Sequence, residues 1–436
     1  MKILSTLLLA LSLSAALSAS AQRIYRSEFT VYDTREDAVA QSHKNSTQHI
    51  AFRPIALGAS GKTELVGKKI TIPTAWSDYN VYLHIENSIK AYELVINGQS
   101  VATTDDPYTP ADYLISPYLK QGSNEVLLLL RGSATELNRG AQQSLRDQFE
   151  NCYITAQHRL HIFDYEARIT PDENKEMLCL LDVAVKNDFN FEETIAVGYD
   201  IYSPEGKLID YGVQDFEVAG RSIDTLHIRA KLGEGGRNLW SNTSPKLYRG
   251  TLYVKRNGKP REYIPLRIGA GETTFANGKI IRNGKPLEIK SVAYNARTTP
   301  AEARTEIAAL KKRGYNTLRP DAPQPEWFYD ICDEVGIYVI EQANINPTER
   351  STDRTVTGTP SNNPNLVDAY RKRIRSMYWR TRNHPCIIAY SICGPQAGNG
   401  YCLYKAYEEA KSIESRRAII CPSADGEWNT DIDKIE

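Results

Sequence analysis

Residues Arg382 to Gly400 read RNHPCIIAYSICGPQAGNG. A mostly apolar run, Cys386 to Ile392, stands between Asn383-His384-Pro385 and Gly394-Pro395, two clusters that break regular structure. A run this short, bounded by turn formers, has the length of a strand buried on both faces and is too short for a helix. The strand is expected to deliver the loop that follows it, Gly394 to Gly400, to a polar mouth. Gln396 sits in that loop. Its carboxamide does not ionise and cannot act as a general acid.

Moving outward, helix-period and strand-like segments alternate. Helices are predicted over 300–312, 325–335, 365–381 and 400–414. Strands are predicted at the end of IKSVAYN, at 316–319, 337–340 and 386–392, and at 418–421. Gly336 follows the second helix, where a left-handed C-terminal cap belongs. Strands alternating with helices argue for parallel β/α units, and five can be counted. A full eight-stranded barrel takes about 250 residues, whereas Leu287 to Glu436 supplies 150. The expected architecture is a partial, five-unit TIM-type β/α barrel.

Upstream the period changes to two. Val81 to Ile85 and Tyr92 to Ile96 alternate, Asn97-Gly98 marks a tight hairpin turn, and 124–130 is a buried strand. Further short strands are expected over 177–186, 194–202 and 247–255, with Asn277-Gly278 and Asn283-Gly284 bracketing a small hairpin before the barrel. The expected division is a leader over 1–21, a jelly-roll β-sandwich over 22–160, an immunoglobulin-like β-sandwich over 161–270 and the partial barrel over 271–436.

Lys2, the apolar run Ile3 to Leu17 and the small residues Ala19-Ser20-Ala21 read as a secretory signal peptide cleaved after Ala21. The protein is expected in the periplasm, at the cell surface or outside the cell. No later run reaches the ~18–20 apolar residues of a membrane span. Lys+Arg and Asp+Glu balance at 53 each, so no global field draws nucleic acid or anionic membrane. Seven cysteines are scattered without a metal-knuckle spacing, and the odd count leaves at least one unpaired. Cys332, Cys386 and Cys421 lie in apolar runs and read as small buried residues.

The opening segment resembles RNHPSIIxWSLGNExGxG of glycoside hydrolase family 2, the β-galactosidase and β-glucuronidase relatives. The resemblance extends over nearly all of the chain after the leader. LWSNTSPKLYRGTLYV resembles the family's closing sandwich hairpin, and Trp327 to Gly336 resembles its WYDLCDEYG. The family's acid/base glutamate falls at Gln396, after Pro395 instead of Asn. Its VRxSHYP puts Arg319 on the Arg and Ala322 on the His. Its DEANIETHG puts Asn344 on an Asn of the sugar pocket, and Asn346 and Thr348 on the Glu and His that hold Mg²⁺ in some relatives. Its RPVQYE ends at Pro422 here. Mg²⁺ favours carboxylates, so neither metal nor other cofactor is expected.

The retaining mechanism that the resemblance implies needs two carboxyl groups about 5–5.5 Å apart. The acid/base position is occupied by Gln396, and the family's nucleophile strand has no match in this sequence. Ligand-binding candidates are Arg319, Asn344, Asp321 and Glu341, with Glu349 a further carboxylate near the expected mouth; His384 reads as a structural hydrogen-bonding residue. The expectation is a catalytically inactive pseudo-glycosidase that serves as a carbohydrate-binding or protein-interaction module of the cell envelope. An active β-galactosidase-like hydrolase with displaced acids and a purely structural envelope subunit are the alternatives. A partial barrel exposes sheet edges, so a homo-oligomer or an envelope partner is expected.

Overall fold

The computed structural model describes residues 23–44, 46–131, 137, 149–174, 176–234, 238–295, 299–347 and 353–433. The predicted leader, Thr348 and Glu349 lie outside the described residues. The chain forms two compact units, one holding residues 47–135 and 146–159, the other 25–46, 136–145 and 160–436.

The first unit contains two antiparallel sheets. One has the order His49–Ala51, Tyr153–His158, Tyr79–Ile85, Ala111–Leu114. The other runs Ile55–Ser60, Thr63–Ile72, Gly122–Arg131, Ala91–Ile96, Gln99–Thr104. Leu83, Leu94, Ile96, Leu128 and Leu130 pack in the core between them. The Asn97-Gly98 hairpin has φ of 50° and 81°, so both central residues are left-handed, the condition for the turn that matches strand twist.

In the second unit, residues 160–268 make a sandwich of a three-stranded sheet (Leu160–Pro171, Glu176–Asn187, Ser222–Glu234) and a four-stranded sheet (Leu208–Val218, Glu193–Tyr202, Tyr248–Arg256, Lys259–Ile268). Three plus four antiparallel strands around one apolar core is the immunoglobulin-like arrangement. A small hairpin, Thr273–Ala276 with Lys279–Arg282, leads to the parallel sheet. There β1 (Ser291–Ala293), α1 (Pro300–Lys312), β2 (Thr317–Arg319), α2 (Glu326–Val335), β3 (Tyr338–Gln342), α3 (Val367–Thr381), β4 (Ile387–Ser391), α4 (Tyr401–Ile413) and β5 (Ala418–Ile420) follow in order. All four neighbouring strand pairs are parallel. The fold is therefore two β-sandwiches followed by a partial β/α barrel, as the sequence predicts.

Local chemistry sets the helix ends. Thr299 and Glu302 form a reciprocal capping box before α1, and Pro300 occupies the first turn, where its missing N–H costs nothing. Gly336 ends α2 at φ 74°, and a Cβ there would stand 2.8 Å from Pro245. Arg382 and Asn383 fasten the partial barrel to the adjoining sandwich. Arg382 donates to Asp164 at 2.9 Å and to Ser27 at 3.1 Å. Asn383 accepts from the Ala167 N–H and donates to the Tyr165 carbonyl.

Two features were not legible in the sequence. Leu137, in the stretch assigned to the jelly roll, is buried in the partial barrel's core, where its carbonyl accepts from the Asn346 N–H at 2.6 Å. The outer edge of β5 is occupied by the chain itself. Ile419 N–H donates to the Asp431 carboxylate, Asp431 N–H to the Ile419 carbonyl, and Cys421 N–H to Thr430 Oγ1.

Candidate functional site

The carboxyl ends of β1 to β4 converge on a cluster of side-chain amides. Asn295, beyond β1, donates to Asp321 Oδ1 at 2.5 Å and accepts from the Asp321 N–H at 3.1 Å. The Asp321 carbonyl accepts from Gln342 at 3.0 Å and from Asn346 at 2.5 Å. Gln342 also donates to Asn346 Oδ1 at 2.9 Å, and Gln324 donates to Asn295 Oδ1 at 3.2 Å. Gln324, Gln342 and Asn346 are buried, while Asp321 is partly exposed. The cluster thus links four carboxamides to one residue, Asp321, whose carboxylate takes the Asn295 amide and whose backbone carbonyl takes Gln342 and Asn346. It can orient hydroxyl groups as donor and acceptor, but the amides cannot exchange protons at ordinary pH.

The loop after β4 closes one side. Gly394 N–H donates to the Ile345 carbonyl at 2.8 Å, and a Cβ at Gly394 would stand 2.1 Å from Asn346 Oδ1, so the close approach requires glycine. Asn399 and Asn429 exchange reciprocal hydrogen bonds at 3.0 and 2.9 Å beneath the loop. Gln396 is exposed on its outer turn. Cys393 and Cys421, just past the ends of β4 and β5, are buried with their sulphurs 3.8 Å apart. Burial pushes the Cys393 thiol up, whereas the hydrogen bond from Cys393 holds Cys421 below its ordinary value.

The predicted ligand candidates separate. Arg319 is exposed at the end of β2. Asn344 is buried, and its carbonyl accepts from the buried Arg373 at 2.8 Å. Asp321 belongs to the amide cluster. Glu341 does not face the mouth: it is wholly buried in the layer between sheet and helices, where Tyr329 of α2 donates to Oε1 at 2.8 Å. Burial raises its pKa to about 7, against the opposing field of Arg380 on α3. The neighbour Gln342 takes the mouth-facing place, because successive strand residues point to opposite faces. Ala322 is buried, and Pro395 exposed. Asn295, Gln324 and Gln342 escaped the sequence reading; position at a strand's carboxyl end was the one signal that pointed to Asn295 and Gln342.

A second polar cluster lies at the opposite, amino ends of the strands. His384 Nδ1 is 2.7 Å from Asp333 Oδ2, and the other Asp333 oxygen accepts from the Cys386 N–H at 3.0 Å. Asp330 pairs with Arg267. These acids and His384 have a spacing that metal ligands also show. Asp333 is engaged by His384 and the Cys386 N–H and Asp330 by Arg267, so the group works as an ion-pair network that secures α2 and the start of β4.

Comparisons with known proteins agree with this architecture. Residues 277–436 match the family model described as glycosyl hydrolases family 2, TIM barrel domain. The β-galactosidase of Priestia megaterium is 26% identical over 376 residues, covering 81% of this chain and 35% of that protein. That of Vibrio cholerae is 26% identical over 394 residues, covering 86% and 38%. The chain thus spans little more than a third of these relatives. Among solved structures, a Bacteroides uniformis β-glucuronidase superposes with a TM-score of 0.68 at 17% identity, over 83% of this chain and 46% of that one. A putative β-galactosidase from Bacteroides fragilis gives 0.68 at 17%, over 84% and 56%.

Proposed function

We propose that this chain is an exported member of glycoside hydrolase family 2 that holds carbohydrate at the mouth of its partial barrel without hydrolysing it. The observation that carries this reading is the amide cluster around Asp321, with Gln396 exposed on the turn after β4. Retaining hydrolysis needs one carboxyl group to protonate the leaving oxygen and a second, about 5–5.5 Å away, to attack. The hydrogen-bonded cluster at the strand ends holds a single carboxylate, Asp321, already bonded to Asn295. Losing general acid catalysis alone costs about 10²–10⁴ in rate. Glu341 has a pKa suited to acid–base work, but it is sealed from the mouth by the sheet. Amide side chains with the exposed Arg319 suit sugar hydroxyls, which need paired donors and acceptors more than charge.

Export is part of the reading and rests on the leader-like residues 1–21. So is a companion chain or a second copy in the envelope. Val292 in β1 is only half-buried and Ala293 is exposed, leaving apolar surface at that edge.

Incubation with nitrophenyl β-galactoside and β-glucuronide tests the central claim, and no turnover above buffer is expected. Turnover that vanishes in Asp321→Asn would overturn it. A glycan array should show retention by the wild type that Arg319→Ala weakens. Absence of any retained glycan would remove the binding role. Sedimentation should show an oligomer or a co-purifying partner; a monodisperse, stable monomer counts against the companion.

A further inference from the structure

A cavity of about 70 Å³ opens at the amino ends of β4 and β5, at the opposite end of the strands from the mouth. Its wall carries six arginines (Arg168, Arg267, Arg282, Arg382, Arg416 and Arg417) against one carboxylate, the exposed Glu272. Five of the six have acidic partners set back from the wall. Arg168 pairs with Asp182, Arg267 with Asp330, Arg382 with Asp164, Arg416 with Glu166 and Arg417 with Glu414.

Arg282 is the exception. It is 7% exposed, and among the described residues no carboxylate pairs with it. Its Nη1 donates to Thr273 Oγ1 at 2.8 Å, its Nη2 to the Trp240 carbonyl at 2.9 Å, and its guanidinium stands 5.1 Å from the centre of the Trp240 ring. Its Nε is buried without a hydrogen-bond partner. Burial draws its pKa down to about 10, as expected of a cation taken from water without a counter-charge. A buried guanidinium in this state is strongly disfavoured unless an anion reaches it.

We infer that this cavity binds one small tetrahedral oxyanion, sulfate or phosphate, either free or as an ester on a saccharide, held by Arg282 with the half-exposed Arg416 at its side. The size fits. A water needs about 10–15 Å³ of such space, so the cavity has room for roughly five water-sized atoms, the count in a four-oxygen anion. The chemistry fits as well, because the unpartnered Arg282 Nε–H is a charge-assisted donor of the kind oxyanion oxygens accept. The site is separate from the amide mouth and stands whether or not the mouth binds sugar.

The test is calorimetric titration and thermal unfolding of the whole chain in sodium sulfate against sodium chloride at equal ionic strength. Sulfate should bind saturably at one site and raise Tm by roughly 3 °C at a hundredfold excess over Kd. Arg282→Met should weaken sulfate about tenfold or more and cut the shift by half or more at the same sulfate concentration, while its Tm in chloride stays at or above that of the wild type. A purely structural Arg282 would instead lower Tm by the same amount in both salts, and that result overturns the proposal. If Arg282→Met does not fold, Arg416→Gln serves. It should weaken sulfate several-fold with Tm in chloride unchanged, and unchanged sulfate affinity would refute the site. Phosphate, glucose 6-sulfate and glucose distinguish the sources. Tighter binding of the sulfate ester than of free sulfate assigns a saccharide ester, the reverse assigns a free ion, and equal stabilisation by chloride and sulfate overturns both.

Discussion

Glu341→Gln removes a titrating carboxyl from the layer between β3 and the helices while keeping an oxygen for the Tyr329 hydroxyl to bond. The Glu341 carboxyl has a pKa of about 7 in the fold, against 4.5 for the ordinary group. Between those values the folded state holds a proton that the unfolded state has released, so wild-type stability falls as pH rises. The full difference of about 2.5 units corresponds to roughly 3 kcal/mol at 1.36 kcal/mol per unit. From pH 5 to pH 8 about 2–3 kcal/mol of this is lost. Gln does not titrate, so the stability of the variant relative to wild type should improve by that amount over the same range. Urea unfolding at pH 5, 6, 7 and 8 measures it, followed by tryptophan fluorescence, since Trp240, Trp327 and Trp379 lie in or against the partial barrel's core. The difference between the two proteins isolates Glu341 from other acids such as the half-buried Glu326, also raised, to about 8, by desolvation and the nearby Glu28. Parallel pH profiles for the two proteins would refute the placement of Glu341 in a sealed layer.

Three more outcomes follow from specific contacts. Asp431→Ala removes the acceptor for Ile419 N–H, Tyr407 OH and Lys411 at once; it should cost about 2–4 kcal/mol in urea unfolding and free the edge of β5, so that light scattering shows concentration-dependent association. Arg382→Ala leaves Asp164 without its buried partner and should destabilise by about 3–5 kcal/mol, lowering the urea midpoint. Gln396→Glu lies on an exposed turn and should change stability by less than about 0.5 kcal/mol. It should give no hydrolysis of nitrophenyl glycosides, because the cluster's one carboxylate, Asp321, is bonded to Asn295 and does not serve as the nucleophile that the new acid would need.

Much of the fold was legible because its signals are local. The helix predicted over 300–312 coincides with α1, fixed by the Thr299 capping box and Pro300. Gly336 takes the left-handed cap that its place after a helical run implied. Asn97-Gly98, Asn277-Gly278 and Asn283-Gly284 all adopt paired positive φ at hairpin turns, and so does Asn257-Gly258, which the reading passed over. The motif Arg382-Asn383-His384-Pro385 was conspicuous in the sequence, yet the structural task of Arg382 and Asn383 is to join the partial barrel to a sandwich strand 216–218 residues earlier. No local pattern encodes that pairing.

The candidate site shows where local signals stop. The sequence by itself determined that β3 exists, that it is buried and that Glu341 and Gln342 stand at its end. A strand apolar on both faces carries no alternation that tells its faces apart, so it did not determine which of the two reaches the mouth. Packing decided that, because Tyr329 and Arg380 offer a carboxyl a hydrogen bond and a favourable field on the helix side, while Asp321 and Asn346 accept an amide on the other. The same holds for Leu137, for Asp431 on the edge of β5 and for the uncompensated Arg282. Each acquires its surroundings from residues distant in the chain, and burial, charge and hydrogen bonding are properties of those surroundings.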